Sequence, residues 1–476
     1  MAISGYLFRD RENIIEYFQE KGILVDPKAL RIIMEKSLGT LIVRLVNNET
    51  LKNGYVREED VLEIVSSQSE KFNSVREIDI NSIKANSSVD DFRNVFVDRY
   101  TKLRNIVLAA GKLRGPSSIG DVRKLKNGYV KIVGMVSDVS ITKNGHKKFR
   151  IEDLDDRIDV IITNKNPLHN ELILNDEVLG VVGSKPESKN DSMKSEPVIF
   201  ANEIIRPDVP FRVIDDTGRE PEYVGSISDI HVGSKTFLKD SFNSMIKWIK
   251  SSGEDAGRMK HLILSGDVVD GIGVYPGQEN DLEIINPYEQ YEHLSEFVNQ
   301  IPSDITVYIM PGNHDTVRLA EPQPAFNPKI REMFSGNAKF LPNPYNLVLN
   351  KKNITIYHGM ALNDLVELIP GGSMSSIGSA IDLMLKRRYM GSAYGGKTPI
   401  IPSEKDFHVM DAVPDIFITG HIHGHHLGNY NGVRYVNSST WQSQTEYQKM
   451  MNFAPDPSIL TLFDLNSKQM LKKEFK

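Results

Sequence analysis

"DIFITGHIHG", residues Asp415–Gly424, decides how the second half of this chain is read. Ile416, Phe417 and Ile418 make a continuous apolar run, short enough for a strand buried on both faces. The run ends in Gly420, His421 and His423, and two further histidines follow at 425 and 426. Four of the chain's twelve histidines therefore fall within six positions. Alternate residues of an extended segment point the same general way, so His421 and His423 can reach one centre. The stretch is either a histidine-rich surface loop or the last piece of a metal site assembled from elsewhere in the chain.

Upstream, the same design repeats. "YVGSISDIHVGS" runs from an apolar strand into Asp229 and His231, and "HLILSGDVVDG" into Asp267 and Asp270. "ITVYIMPGNHD" ends on Asn313, His314 and Asp315, and "NITIYHG" ends on His358. Between them, "FLKDSFNSMIKWIK" and "NPYEQYEHLSEFVNQI" carry apolar residues at helical spacing. Strands alternating with helices predict an α/β sheet, whose ligands sit beyond the carboxyl ends of its strands. Alone, each cluster reads as a turn, a polar loop, a helix cap or a satisfied histidine. All five lie at strand exits of one domain, and only an assembled site requires that. Carboxylates, an Asn carbonyl and imidazoles suit Mn²⁺, Zn²⁺, Fe²⁺ or Co²⁺ rather than copper, and about eight donors suffice for two ions. With no cysteine in the chain, thiolate ligands and disulfides are excluded.

The 476 residues suit two or three domains, and 40% hydrophobic with 25% charged residues is ordinary for a globular protein. A net charge of −6 excludes nucleic-acid binding by bulk attraction while permitting a local basic groove. No apolar run is long enough to cross a bilayer, and "MAISGYLFRDRENIIEYF" lacks the pattern of a signal peptide. The expected location is cytoplasmic, with no membrane partner. Residues 1–65 read as an α-helical module: Ile14, Ile15 and Phe18 share a face, and Asp26 caps a segment with Pro27 at its first position. Residues 66–90 are polar and read as a linker. Residues 91–210 combine a leading helix with several short strands, and Asn144-Gly145 marks a hairpin. That pattern predicts an OB-type β-barrel, which either binds a single strand or serves as a packing module. Residues 211–476 form the α/β domain.

The ordered series "SDIHVG", "LSGDVVDG", "MPGNHD", "YHG" and "TGHIHG" resembles the calcineurin-like metallophosphoesterase superfamily, over about Ser226 to Asn437. With the barrel and helical module before it, the chain further resembles the small subunit of the archaeal family-D DNA polymerase. The eukaryotic replicative B subunits look similar in architecture but with eroded motifs; here no motif position is missing. The resemblance implies an αββα sandwich for the α/β domain, and two divalent ions, Mn²⁺ first with Zn²⁺, Fe²⁺ or Mg²⁺ as alternatives. It implies that Asp229, His231 and His423 hold one ion, Asn313, His358 and His421 the other, and that Asp267 bridges them. It further implies that His314 acts on the scissile phosphate, with Asp315 orienting it. Asp270 and Asp415 are candidates for supporting the ligands, and His425 and His426 for the loop or substrate rim.

The activity so implied is 3′–5′ exonuclease proofreading, with a DNA primer–template 3′ end as substrate and a large catalytic polymerase subunit as partner. Tyr275, Tyr357 and Trp441 are placed either to stack on a base or to fill the core. The loops "VYPGQENDLEIINP" and "LIPGGSMSSIGSAID" are candidates for a steric stop at the 3′ end. Two other readings stand beside this one: a phosphoesterase acting on another substrate, and a non-catalytic scaffold for the polymerase.

Overall fold

The structure, a computed structural model, describes residues 88–475 except 188–195, 215, 252, 374–375 and 451, and before them residues 15, 18–19, 23–30 and 55–57. The chain divides into two compact units, Met1–Ile78 and Asp79–Lys476. Most of the helical module expected over 1–65, and the expected linker up to residue 87, lie outside the described residues.

In the first unit, Asp26 caps a helical turn: its Oδ1 accepts from Lys28 N at 2.7 Å and its carbonyl from Leu30 N at 2.9 Å. Beside it β1 (Leu24–Val25) pairs in parallel with β2 (Tyr55–Val56), so the unit is not purely helical. Two residues per strand are too few for alternation to register in a sequence.

The second unit opens with α1 (Val89–Ala109), capped by the Ser88 side chain, so the helix begins inside the stretch expected as linker. A short α2 (Ile119–Lys124) follows, and then β3 (Gly128–Ile141), β4 (Lys147–Glu152), β5 (Arg157–Ile162), β6 (Val178–Lys185) and β7 (Val198–Ile205). These five strands close into a barrel in the order β3-β4-β5-β7-β6. β3, 14 residues long, pairs with β6 along its first part and with β4 along its second. An irregularity between Val136 and Asp138 lets it bend. Gly145, at φ 73°, turns the hairpin between β3 and β4. Phe149, Ile151, Val160 and Val181 fill the interior with Ile119 and Val122 of α2, while Tyr100, Leu103 and Val107 of α1 pack on Val133, Val178 and Ile205.

From Tyr223 the elements are β8 (Tyr223–Ile227), α3 (Lys239–Lys250), β9 (Met259–Ser265), α4 (Pro287–Val298), β10 (Thr306–Met310), β11 (Ala338–Phe340), β12 (Tyr345–Leu349), β13 (Lys352–Ile356), α5 (Ala361–Leu368), α6 (Ile377–Arg387), β14 (Ile416–Thr419), β15 (His425–Tyr430), β16 (Val433–Ser438), α7 (Glu446–Met450), β17 (Ile459–Asp464) and β18 (Met470–Glu474). They build a six-stranded sheet, β11-β10-β9-β8-β17-β18, and a five-stranded sheet, β12-β13-β14-β16-β15. β8 to β11 run parallel in the first, as do β13, β14 and β16 in the second.

Val224, Ile263 and Met310 of the first sheet meet Ile354, Ile356, Ile416, Ile418 and Val436 of the second. Phe242, Met245 and Ile246 of α3 and Tyr291 and Leu294 of α4 cover the first sheet's other face. Leu362, Leu365, Ile381 and Met384 of α5 and α6 cover the second's. Each buried aliphatic contributes roughly 1.5–3 kcal/mol, so this layered packing holds the strand exits in place. β8, β14, β16 and β17 are buried at every residue, which explains the apolar run Ile416–Ile418 of β14, while β16 buries Arg434, Asn437 and Ser438 as well. Among the described residues no helix is long and apolar enough to cross a membrane.

Candidate metal centre

The exits of β8 and β9 stay paired beyond the strands. Asp229 N donates to Gly266 O at 3.0 Å and His231 N to Asp267 O at 3.1 Å, which locks the two acidic loops in register. Asp229, His231, Asp267 and His421 all have positive φ, between 48° and 68°. A non-glycine residue in that region costs roughly 1–2 kcal/mol, and such strain gathers where a site over-determines the backbone. Gly266, at φ 108°, has no room for a side chain, because a Cβ there would overlap Nδ1 of His358.

Among the described residues three groups of side chains converge, and His231, Asp270 and His314 form the third. Ligand atoms of Asp229, His231 and His423 lie within 4.8 Å of one another, and so do those of Asp267, His358 and His421. In the first group, His423 Nε2 is 3.3 Å from Asp229 Oδ1 and 3.2 Å from His231 Nε2. In the second, His358 Nε2 is 3.3 Å from Asp267 Oδ2 and 3.1 Å from Asn313 Oδ1, which brings Asn313 into the group. Asp267 falls with the second group, and its Oδ1 accepts from His314 N at 2.8 Å.

The imidazoles are held from behind. His231 Nδ1 donates to Asp270 Oδ1 at 2.8 Å and His358 Nδ1 to Ser265 O at 2.9 Å; the Gln448 amide of α7 lies 2.7 Å from His423 Nδ1. The first two contacts leave Nε2 facing the group, the arrangement a metal-binding imidazole needs, whereas the Gln448 amide nitrogen is a donor and fixes the orientation of the His423 ring only. The Asn363 amide, on α5, lies 2.8 Å from His421 Nε2.

The donor set fits cations. Asp229 is fully buried, and its Oδ1 has no hydrogen-bond partner among the described residues, since His423 approaches it off hydrogen-bond geometry. Burial opposes the charge of Asp229 and Asp267. Even so, His423 and the charge of His358 hold Asp229 below the usual carboxylate range, and His358 and His314 hold Asp267 well below it. Burial would lower the imidazoles as well. Asp270 nevertheless lifts His231 to about 9, and Asp267 with Asp229 lifts His358 to about 10. The ionised carboxylates thus draw positive charge onto two neighbouring rings. Burial and the neighbouring His358 push His421 down to about 3, keeping it in the neutral form that binds metal.

His314 stands at the edge of both groups. Its Nδ1 donates to the backbone oxygen of Asp270 at 2.9 Å, and its ring packs edge-on against His231 at 4.7 Å. Its side chain is 17% exposed, against 2% for His231 and 0% for His358. Burial lowers its pKa.

Other expected residues lie elsewhere. Asp315 does not orient the His314 ring: its oxygens accept from Gly312 N at 2.8 Å, Tyr291 OH at 3.0 Å and, more weakly, Val268 N and Val269 N. It ties the exits of β9 and β10 to α4, while the Asp270 carbonyl holds His314. Asp270 does support the centre, through His231. Asp415 does not: it precedes β14, at the strand end opposite the centre, where it accepts from Asn353 N at 2.7 Å and pairs with Arg212. His425 starts β15 and meets Thr461 Oγ1, and His426 stacks on Tyr435. Trp441 and Tyr357 are fully buried in the core, whereas Tyr275 is 39% exposed on its loop. Gln448 and Asn363 carry no sequence signal, since they sit 25 and 58 residues from the histidines they touch.

Two stacked sheets flanked by helices, with carboxylates and imidazoles gathered at their strand exits, define a phosphoesterase-like domain. Residues 225–426 match the family of the B subunits of DNA polymerases alpha and epsilon. The chain is 56% identical, over 98% of its own length and 93% of the relative's, to a DNA polymerase II small subunit of Thermoplasma acidophilum. It is 35% identical to that of Archaeoglobus fulgidus, over 95% of this chain and 96% of the relative, and 37% identical to that of Methanothermobacter thermautotrophicus, over 79% and 77%. The chain belongs to the archaeal DNA polymerase II small-subunit family, the accessory small subunit of family D.

Proposed function

We propose that this chain is a two-ion 3′–5′ exonuclease that removes mispaired primer ends for a polymerase whose large subunit is its partner. One observation carries the reading: seven side chains from five strand exits meet in two largely buried groups, with an Asp229 oxygen left without a hydrogen bond. A pure scaffold has no physical need for so costly a cluster of buried charge and strained backbone. A closed five-stranded barrel followed by two stacked sheets with the polar cluster at their exits supports reading the two as an OB-type barrel and a calcineurin-like phosphoesterase.

Asp229, His231 and His423 would hold one ion, and Asn313, His358 and His421 the other, with Asp267 between them. When bound, such ions neutralise a phosphodiester's oxygens and supply a nucleophilic hydroxide near neutral pH. Asp270, Ser265 and Gln448 fix the imidazole orientations before substrate arrives. The Asp270 carbonyl keeps a proton on His314 Nδ1, so Nε2 is the nitrogen that exchanges a proton with the substrate side. With Nε2 also protonated, which a bound phosphate's negative charge would favour against the burial that lowers this ring, His314 would stabilise charge on the phosphate or protonate the departing 3′-oxygen.

The test is a Mn²⁺ titration of chelator-stripped protein, followed by turnover of bis(p-nitrophenyl) phosphate. Two ions per chain and turnover lost in Asp267→Ala support the reading. Absence of ion binding sinks it.

A further inference from the structure

A second set of buried polar side chains runs from α1 to the loop after Asn313. Arg99, Asp406, His408 and Glu321 are 1%, 2%, 1% and 0% exposed. Arg99 Nε donates to Asp406 Oδ2 at 2.6 Å, and its guanidinium lies 4.3 Å over the Tyr389 ring. Asp406 Oδ1 accepts from His408 N at 2.9 Å, and His408 Nε2 meets Glu321 Oε2 at 2.9 Å. Two other residues of α1 grip the same loop: Asp98 accepts from Asp406 N at 2.8 Å, and Lys102 donates to Asp406 O at 3.0 Å.

At its far end the chain reaches the metal centre by two routes. Glu321 Oε2 accepts from Tyr357 OH at 3.0 Å, and Tyr357 immediately precedes His358. Two residues beyond Glu321, the buried Gln323 donates to Gly312 O at 3.0 Å, next to Asn313. Gln323 also accepts from Asn343 Nδ2 at 2.7 Å, and Asn343 Oδ1 accepts from His358 N at 3.0 Å. The loop that carries Glu321 thus backs both Asn313 and His358.

A joint between barrel and sheets needs none of this. The adjacent contact of Tyr100, Leu103 and Val107 shows that apolar packing is available there. Buried ion pairs often stabilise less than well-packed apolar residues of similar volume, and in some proteins they are kept because they fix one defined arrangement. We propose that Arg99, Asp406, His408 and Glu321 form a positioning chain through which the α1 side sets the ion affinity of the Asn313–His358 half of the centre. This rests on the two-ion reading above. These four residues act through Tyr357, Gln323 and Asn343 and touch neither ion nor substrate.

The test uses the full chain, with Mn²⁺ calorimetry after chelator stripping and thermal melting in chelator. In wild type, two Mn²⁺ ions bind. Glu321→Gln weakens one of them by roughly 10–100-fold and leaves the other unchanged. Arg99→Met, at the remote end, weakens the same ion by a smaller factor, and Arg99→Lys, which keeps the charge and is the gentler change, lies between wild type and Arg99→Met. The double variant is no worse than Glu321→Gln alone, as expected for one connected chain. Lower melting temperatures with both Mn²⁺ affinities unchanged overturn the proposal, leaving the chain a joint only. Equal weakening of both ions also counts against it. A wild-type chain that binds no Mn²⁺ is a different failure, because it removes the two-ion reading and this proposal with it.

Discussion

Asp270 Oδ1 accepts the Nδ1–H of His231 at 2.8 Å, so one carboxylate decides which nitrogen of that ring faces Asp229 and His423. Losing such a support typically costs 10–100-fold in metal affinity. Asp270→Ala is therefore expected to weaken one Mn²⁺ by roughly that factor while the far-ultraviolet circular dichroism stays that of wild type. Calorimetry checks it; unchanged affinity for both ions contradicts the assignment.

Gly266→Ala tests the steric side of the site. The substitution strains a backbone at φ 108° and drives a methyl into His358. A loss on the order of 1–3 kcal/mol in urea unfolding is expected, together with weaker ion binding. The same change at Gly111, where a Cβ meets nothing within 4 Å, carries only the backbone penalty of its φ of 71°.

The convergence of the seven expected residues was legible because strand exits gather at one end of a sheet; what the spacing did not tell is that Asp229, His231 and His421 take positive φ rather than extended backbone, and that His421 and His423 join different groups. Asp315 and Asp415 sit in the same motif blocks, yet a block does not say where a carboxylate's hydrogen bonds go. Asp415 precedes its strand and so lands at the far end of the sheet. His408 meets Glu321 across 87 residues, and no local pattern carries such a pairing. The β1–β2 pair was invisible for the opposite reason, being too short to have a period.

Asp415→Ala is accordingly expected to leave both Mn²⁺ affinities unchanged. It removes a hydrogen bond to Asn353 N and a contact with Arg212. A modest stability loss, about 1 kcal/mol, follows and is read by denaturant titration.

His408 makes stability depend on pH. Burial opposes its charge, but Asp406 and Glu321 lift it to about 9, above its ordinary value of 6.5. A raised histidine stabilises the folded chain fully below pH 6.5, and that contribution is lost as pH rises through about 9. The shift corresponds to on the order of 3 kcal/mol. Melting temperature in chelator should fall between pH 6.5 and 9 in wild type, and His408→Gln should make that fall shallower, leaving the share of His231 and His358. An equally steep profile in the variant would assign the titration to another group.

The most direct measurement is excision from a 5′-labelled primer–template with a mismatched 3′ end, by the chain alone and with a polymerase large subunit, in Mn²⁺ or chelator. The account predicts stepwise shortening from the 3′ end that is abolished by chelator, by Asp267→Ala and by His314→Ala. An intact primer under all conditions, with the large subunit present and two Mn²⁺ bound, would contradict it.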